Sequence, residues 1–322
     1  MYWRIAVAAL ALLSCAKLSM ADAEDWPNKP VRIMVGFGAG GGTDIVARVI
    51  AERLSDALGQ QFVVENRPGA GGSIAGGIVA KAPNDGYTAV ALSTGHSVSA
   101  VMVKQVPYDP VTSFEMVGMV AQSTYVVMVP KNSPATNLES LVEYVNKNPD
   151  KLNYSTVGVG ATQHLIAEDL LHRTQMKVRH VSFRTTGEVV TALLRGDVAF
   201  GLDLFHAVRG QVDSGDIRLL AVSTPKRWPA APDVPTIAES GLLGFGYIGW
   251  YGFAFPAGTR QPIIDKMHKA LQKVLSEPEV VKKLEGAGAI ATLSTPKEFG
   301  DLIESDIKNF REAAKQGGLQ AK

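Results

Sequence analysis

Gly36, Gly38 and Gly41 stand at the spacing G-x-G-x-x-G inside VGFGAGGGTDIVAR, residues 35–48. Glycines so placed before a helix serve phosphate chemistry. They allow a tight turn and close backbone approach, and the first-turn N–H groups then face the anion. An acid about 20 residues further on would bind a ribose, and Glu65 closes the next strand. Two residues argue against a nucleotide. Asp44 falls in the first helical turn, where it repels a pyrophosphate and instead caps N–H groups. Glu65 precedes NRPGAGG and is placed to pair with Arg67.

The same grammar recurs later. Gly40-Gly41-Gly42-Thr43-Asp44 and Gly158-Val159-Gly160-Ala161-Thr162 each join a strand to a helix. The first turn of a helix leaves N–H groups without intrahelical acceptors and carries partial positive charge. Parallel α/β sheets bind ligands at the carboxyl ends of their strands. Both turns sit at such ends, so two helix N-termini can grip an anion from opposite sides. The alternative is that each loop only packs strand tightly against helix.

Other residues are candidates around that pair. Phe37 can cover an apolar or aromatic part of a ligand. Ser93 and Thr94 end the third strand and can reach a cleft. His164, on the second helix, can donate to a carboxylate or simply pack. Asp203, at a strand end in GLDLF, can bond ligand or loop, or cap the next turn. Trp250, Tyr251 and Phe253 read as hinge-strand core. The six histidines form no helical zinc pair, and no G-x-S-x-G elbow marks a serine nucleophile. No metal site, cofactor or catalytic residue is expected.

These residues need a scaffold. PVRIMVGF, QFVVEN and PNDGYTAVALST read as strands, the last opened by an Asp85-Gly86 turn. DIVARVIAERLSDALG reads as an amphipathic helix with Ile45, Val49 and Leu54 near one face, stopped by Gly59. This βαβαβ order implies a parallel sheet with helices on both faces. TYVVMVPK, a helix opened by Asn137 and ended by Pro149, LNYSTV, KVRHVSF, VAFGLDL and IRLLAVST make a second α/β unit. GWYGFAFPAGT reads as a strand returning to the first unit, followed by long C-terminal helices. No low-complexity linker separates the units, and the cleft between them is the expected site.

Composition narrows the partners. The 322 residues carry 32 Lys+Arg against 31 Asp+Glu, a net charge of +1, which argues against nucleic acid or anionic membrane. Hydrophobic residues make up 46%, enough for a large core. Residues 1–23 read as a secretory signal peptide: Arg4, an apolar run from Ile5 to Leu13, then Ala21-Asp22-Ala23 before Glu24. Leu12-Leu13-Ser14-Cys15 offers the rival reading of a lipobox acylated at Cys15, the single cysteine. Either route exports the chain, away from nicotinamide pools.

The stretch from WPNKPVRIMVGFGAGGGTDIVARVIAERL to KAPNDGYT resembles the N-terminal signature of the periplasmic solute-binding proteins of tripartite tricarboxylate transporters, the Bug family. STVGVGATQHLIAEDL, VSFRTTGEVVTALLRGDV, LLAVSTPKRWPAAPDVPTIAESGLLGF and WYGFAFPAGT extend the likeness over nearly all the mature chain. The resemblance implies a two-domain α/β binding protein of type II-like fold, each domain a parallel-dominated sheet flanked by helices. It implies a hinge-closing monomer that delivers a small organic carboxylate to membrane permease subunits. Domain 1 is then 24–125 plus 250–322, and domain 2 is 126–249. Family members hold carboxylates by main-chain N–H groups, hydroxyls and waters of the two strand–helix loops. This chain departs from the pattern at Gly36, where proline is commoner, at Gly38, where alanine is, and at Phe183, where tyrosine would add a hydroxyl near the cleft. A sensor presenting its closed form to a membrane kinase is the alternative within binding proteins. An exported enzyme is the alternative outside them.

Overall fold

The computed structural model describes residues 25–149 and 151–321. The expected signal peptide and Cys15 lie outside the described residues. The strands are β1 Val31–Val35, β2 Phe62–Asn66, β3 Thr88–Ser93, β4 Phe114–Ser123, β5 Tyr125–Pro130, β6 Asn153–Val157, β7 Arg179–Phe183, β8 Phe200–Leu204, β9 Ile217–Val222, β10 Gly249–Pro256 and β11 Ile290–Ala291. The helices are α1 Gly42–Leu58, α2 Ser73–Val79, α3 Thr94–Met102, α4 Leu138–Asn146, α5 Thr162–Thr174, α6 Thr186–Arg195, α7 Phe205–Asp213, α8 Gln261–Leu275, α9 Pro278–Gly286 and α10 Pro296–Gln316.

Two mixed sheets result. One has the order β11-β4-β10-β3-β1-β2, the other β7-β6-β8-β5-β9. The expected parallel core is present as β2-β1-β3, with Ile33 opposite Val64 and Ala89. Beyond it β10 runs antiparallel between β3 and β4. In the second sheet β7-β6-β8 is parallel, and β5 runs against both β8 and β9. The returning strand expected at GWYGFAFPAGT is therefore an interior strand of the first sheet.

α1 forms because apolar residues recur every four positions. Its buried face is Val46, Ala47, Ile50, Ala51 and Leu54, whereas Ile45 is exposed. The expected stripe through Ile45 and Val49 is thus rotated by one residue. Gly59 ends the helix in the left-handed region at φ 70°, as its position implied. Asn137 opens α4 with a capping box to Ser140.

β4 and α3 carry no clear sequence signature. β4 is buried along most of its length, so no two-residue alternation marks it. α3 reads TGHSVSAVM, a run of weak helix formers. Both are fixed by tertiary packing. Val98 of α3 sits in the core of the second sheet, together with Phe310, Ala313 and Ala314 of α10. Phe299, Ile303 and Ile307 of α10 belong to a core of the first. α10 therefore packs against both units.

The chain crosses between sheets at Thr124 and again ahead of Gly249. Thr124 and Thr224 place their hydroxyls 3.3 Å apart. Ser223 Oγ accepts from Tyr125 N–H at 3.1 Å and donates to Tyr247 O at 2.7 Å. Beside this junction Trp250 Nε1 donates to Asp306 at 2.6 Å. Burial raises the Asp306 carboxyl to about 7, partly offset by that bond.

Candidate functional site

A cavity of about 490 Å³ opens between the two sheets. Of the residues singled out from sequence, Phe37, Gly41, Gly42, Thr43, Ser93, Thr94, Val159, Gly160, Ala161 and Thr162 line it. Gly40, Asp44, Gly158, His164 and Asp203 stand outside that lining. Both glycine turns therefore reach one space from opposite lobes.

The helix ends facing this space are left uncapped. The N-cap residues Gly41 of α1, Ser93 of α3, Ala161 of α5 and Leu204 of α7 make no side-chain cap bond. Of the helices that start elsewhere, Asn137 closes α4, Thr185 closes α6 and Thr295 closes α10, while the short α2 behind Gly72 has no side-chain cap. α8 and α9 carry proline in the first turn, which removes a donor. First-turn N–H groups without an internal acceptor need an external one. Four such ends meet at the cleft.

The remaining predicted residues act from behind. Asp44 accepts from Gly40 N–H at 2.8 Å, from Arg48 Nε at 3.0 Å and from Asn66 Nδ2 at 2.8 Å. Burial opposes its charge, but the Arg48 bond and the Gly40 and Asn66 donors hold its carboxyl below the usual range. It keeps the loop in shape, with its oxygens turned away from the cleft. His164 Nδ1 accepts from Gly160 N–H at 2.9 Å, which fixes the ring as neutral with its proton on Nε2. Asp203 accepts from Gln163 Nε2 at 3.0 Å, Thr186 Oγ1 at 2.8 Å and Leu204 N–H at 2.8 Å. It aims Gln163, which does line the cavity. Glu65, where a ribose-binding acid would stand, is held by Arg32 at 2.6 Å and Arg67 at 3.2 Å.

Sequence reasoning passed over several lining residues. Tyr125 and Tyr251 project into the cavity from β5 and β10. Burial raises both phenols, so they remain neutral donors. A Cβ added at Gly42 would lie 2.6 Å from Tyr251 Oη, so only glycine lets the α1 terminus sit under that hydroxyl. Tyr251 was read as hinge-strand core; it is buried and also walls the cavity. His206 follows β8 by the same strand–turn–helix grammar, a signal masked by the lack of glycine there. Ala70 and Gly71 enter from the NRPGAGG turn. Phe183 lies in a separate surface hollow with Thr185 and Arg195, outside the cavity lining.

No Lys, Arg, Asp or Glu lines the cavity. Its polar wall is built from main-chain amides, hydroxyls, the Gln163 amide and the His206 imidazole. No group of three or more potential metal ligands occurs among the described residues.

Two α/β lobes, a cleft between them and uncapped helix ends converging on it define a two-lobed solute-binding protein. Residues 46–319 match the tripartite tricarboxylate transporter family receptor, and the chain belongs to that family. It is a periplasmic solute-binding protein of the Bug type. Among similar solved structures, the periplasmic binding protein BugD is 33% identical, with TM-score 0.75 over 92% of this chain and 100% of that one. R. palustris Rpa4515 with adipate is 33% identical, with TM-score 0.78 over 92% and 100%. MatC from Rhodopseudomonas palustris with bound malate is 28% identical, with TM-score 0.74 over 89% and 99%.

Proposed function

We propose that this receptor closes its two lobes around a small organic carboxylate and hands it to membrane permease subunits of a tripartite transporter. The observation that carries the reading is the set of four uncapped helix N-termini facing a cavity without charged side chains. Main-chain amides and hydroxyls there suit a carboxylate, and no cationic side chain is needed. The adipate and malate held by two relatives support the same ligand class. No step of bond chemistry is assigned.

In this reading residues 1–23 direct export and are removed, with acylation at Cys15 as the competing route. The bodies that move are 24–125 plus 250–322 and 126–249, hinged at Thr124 and ahead of Gly249, in a monomer. The ligand drives closure by binding the closed state more tightly than the open one. Ligand contacts fall to Gly41, Gly42, Thr43, Thr94, Gly160 and Thr162, with Phe37 against the apolar part. A thermal-shift screen over mono-, di- and tricarboxylates tests this. A ligand at 100 times its Kd adds about 2.7 kcal/mol to stability. If nucleotides or metal ions raise the melting point and no carboxylate does, the reading fails.

A further inference from the structure

The cleft holds one side chain whose charge can change near neutral pH through a ring nitrogen. His206 stands in the first turn of α7, just past β8, and lines the cavity. Its Nδ1 is buried and makes no hydrogen bond. The ring packs on the turn at Gly288, between α9 and β11, where an added Cβ would collide with the His206 side chain. So a residue of the second lobe is seated on a backbone turn of the first.

This seating dictates the tautomer. A proton on Nδ1 would bury an unsatisfied donor against that turn. The proton therefore sits on Nε2, the nitrogen left to face the cleft. The neighbouring charged group is Asp203, and its carboxylate is committed to Gln163, Thr186 and Leu204 N–H. The Gly288 turn presents only backbone. Arg209 on the same helix pairs with Asp213. Among the described residues none accepts a hydrogen bond from the His206 ring.

The sheet order places this donor far from the α1 terminus. Gly288 precedes β11 beside β4, and the Gly41–Thr43 turn follows β1. Four strand intervals of about 4.8 Å separate β11 from β1, roughly 19 Å. His206, Thr43 and Thr162 line the same cavity, so a ligand that spans it reaches all three.

We propose that His206 sets the ligand class: its Nε2–H receives the second carboxylate of a diacid whose first carboxylate is held by the helix N-termini of α1 and α5. This rests on the carboxylate reading above. Burial holds His206 neutral in the free protein, partly opposed by Asp203. A carboxylate at Nε2 favours the imidazolium, so the ring takes up a proton as the diacid binds. The sign follows from linkage. A group whose pKa rises on binding strengthens binding as pH falls through the bound-state value.

The test is calorimetric titration of the full mature chain with succinate, malate and adipate, each against a monocarboxylate of equal length. The wild type is expected to prefer the diacid by about tenfold or more. That preference should grow from pH 8 to pH 6, with a heat that depends on buffer ionisation. His206→Phe should erase the preference while still binding the monoacid, which shows that the variant is folded. His206→Gln, with an amide N–H near the position of Nε2, should keep the preference and lose its pH and buffer dependence. A wild-type diacid-to-monoacid ratio in His206→Phe overturns the assignment and leaves the carboxylate reading intact. Binding of monoacids alone does the same. Binding of neither class overturns both.

Discussion

The two jaws of the cleft use one device with opposite electrostatics. In each, the third residue of the helix reaches back to an N–H of the preceding glycine loop. Asp44 takes the amide of Gly40 in the first lobe, and His164 takes that of Gly160 in the second. The first brace is an anion tied to Arg48 and Asn66. The second is a neutral ring with Glu168 behind it at 3.3 Å and His180 stacked 3.8 Å away. A negative charge in the first turn offsets the positive end of the helix dipole, and a neutral brace leaves it intact. The charge of the first brace is paired with Arg48, and that of the second lies on Glu168 behind the ring, so the braces differ in where the charge sits. The α1 jaw contributes shape and oriented amides.

Substitutions at the N-caps probe both jaws at once. Gly41 and Ala161 are extended, with φ/ψ of −75°/162° and −73°/167°, so valine suits either set of dihedrals, and at Gly41 its Cβ would press on the Gly38 carbonyl at 3.3 Å. Gly41→Val and Ala161→Val should each weaken carboxylate binding by about 30- to 100-fold, the worth of charge-assisted bonds lost at one jaw. Calorimetry on the best ligand of the thermal screen reads this. An unchanged Kd in one variant would assign the anion to the other jaw, and in both would break the clamp.

Exchanging the braces tests the electrostatic difference. His164→Asp puts an anion in the first turn of α5 without an arginine beside it and should cost about tenfold in affinity. Asp44→Asn keeps an acceptor for Gly40 N–H but leaves Arg48 without its charged partner. It should leave affinity within about threefold and lower stability by about 1–2 kcal/mol in denaturant unfolding. If the two variants change Kd alike, the asymmetry is not electrostatic.

The smallest effect is the response to acid. Burial holds His180, behind the α5 jaw, neutral down to about 4, below its ordinary 6.5. Such a group lends full stability above about 6.5 and loses it as pH falls toward 4. His96, in the first lobe, is pushed down to about 4 by burial as well. His180→Gln should flatten part of the fall in melting temperature over that window, by about 2–4 °C. A slope identical to wild type would show that His180 takes no part in the acid response.

Much of the site was legible because local rules wrote it. A strand, a glycine turn and a helix face the same way wherever they occur, so both jaws could be read at residues 40–44 and 158–162. Which polar atoms reach the ligand was less legible. Asp44, His164 and Asp203 have the chemistry of ligand contacts, but their partners Asn66, Gly160 and Gln163 claim them, and two of those three claims depend on the fold. Tyr125 and Tyr251 gave no signal, because a strand residue's role depends on which sheet it joins and where that sheet ends. β4 was silent for a related reason: a strand interior to a sheet, covered on both faces, carries no alternation.

The sequence by itself determined the α/β class, the paired turns and the family. These follow from hydrophobic period, glycine placement and long motifs, all local in the chain. Only the tertiary structure decided which helix ends stay uncapped at the cleft, that α10 joins both lobes, and that His206 meets Gly288. Those are contacts between residues tens to hundreds of positions apart, and the packing of two sheets brings them together.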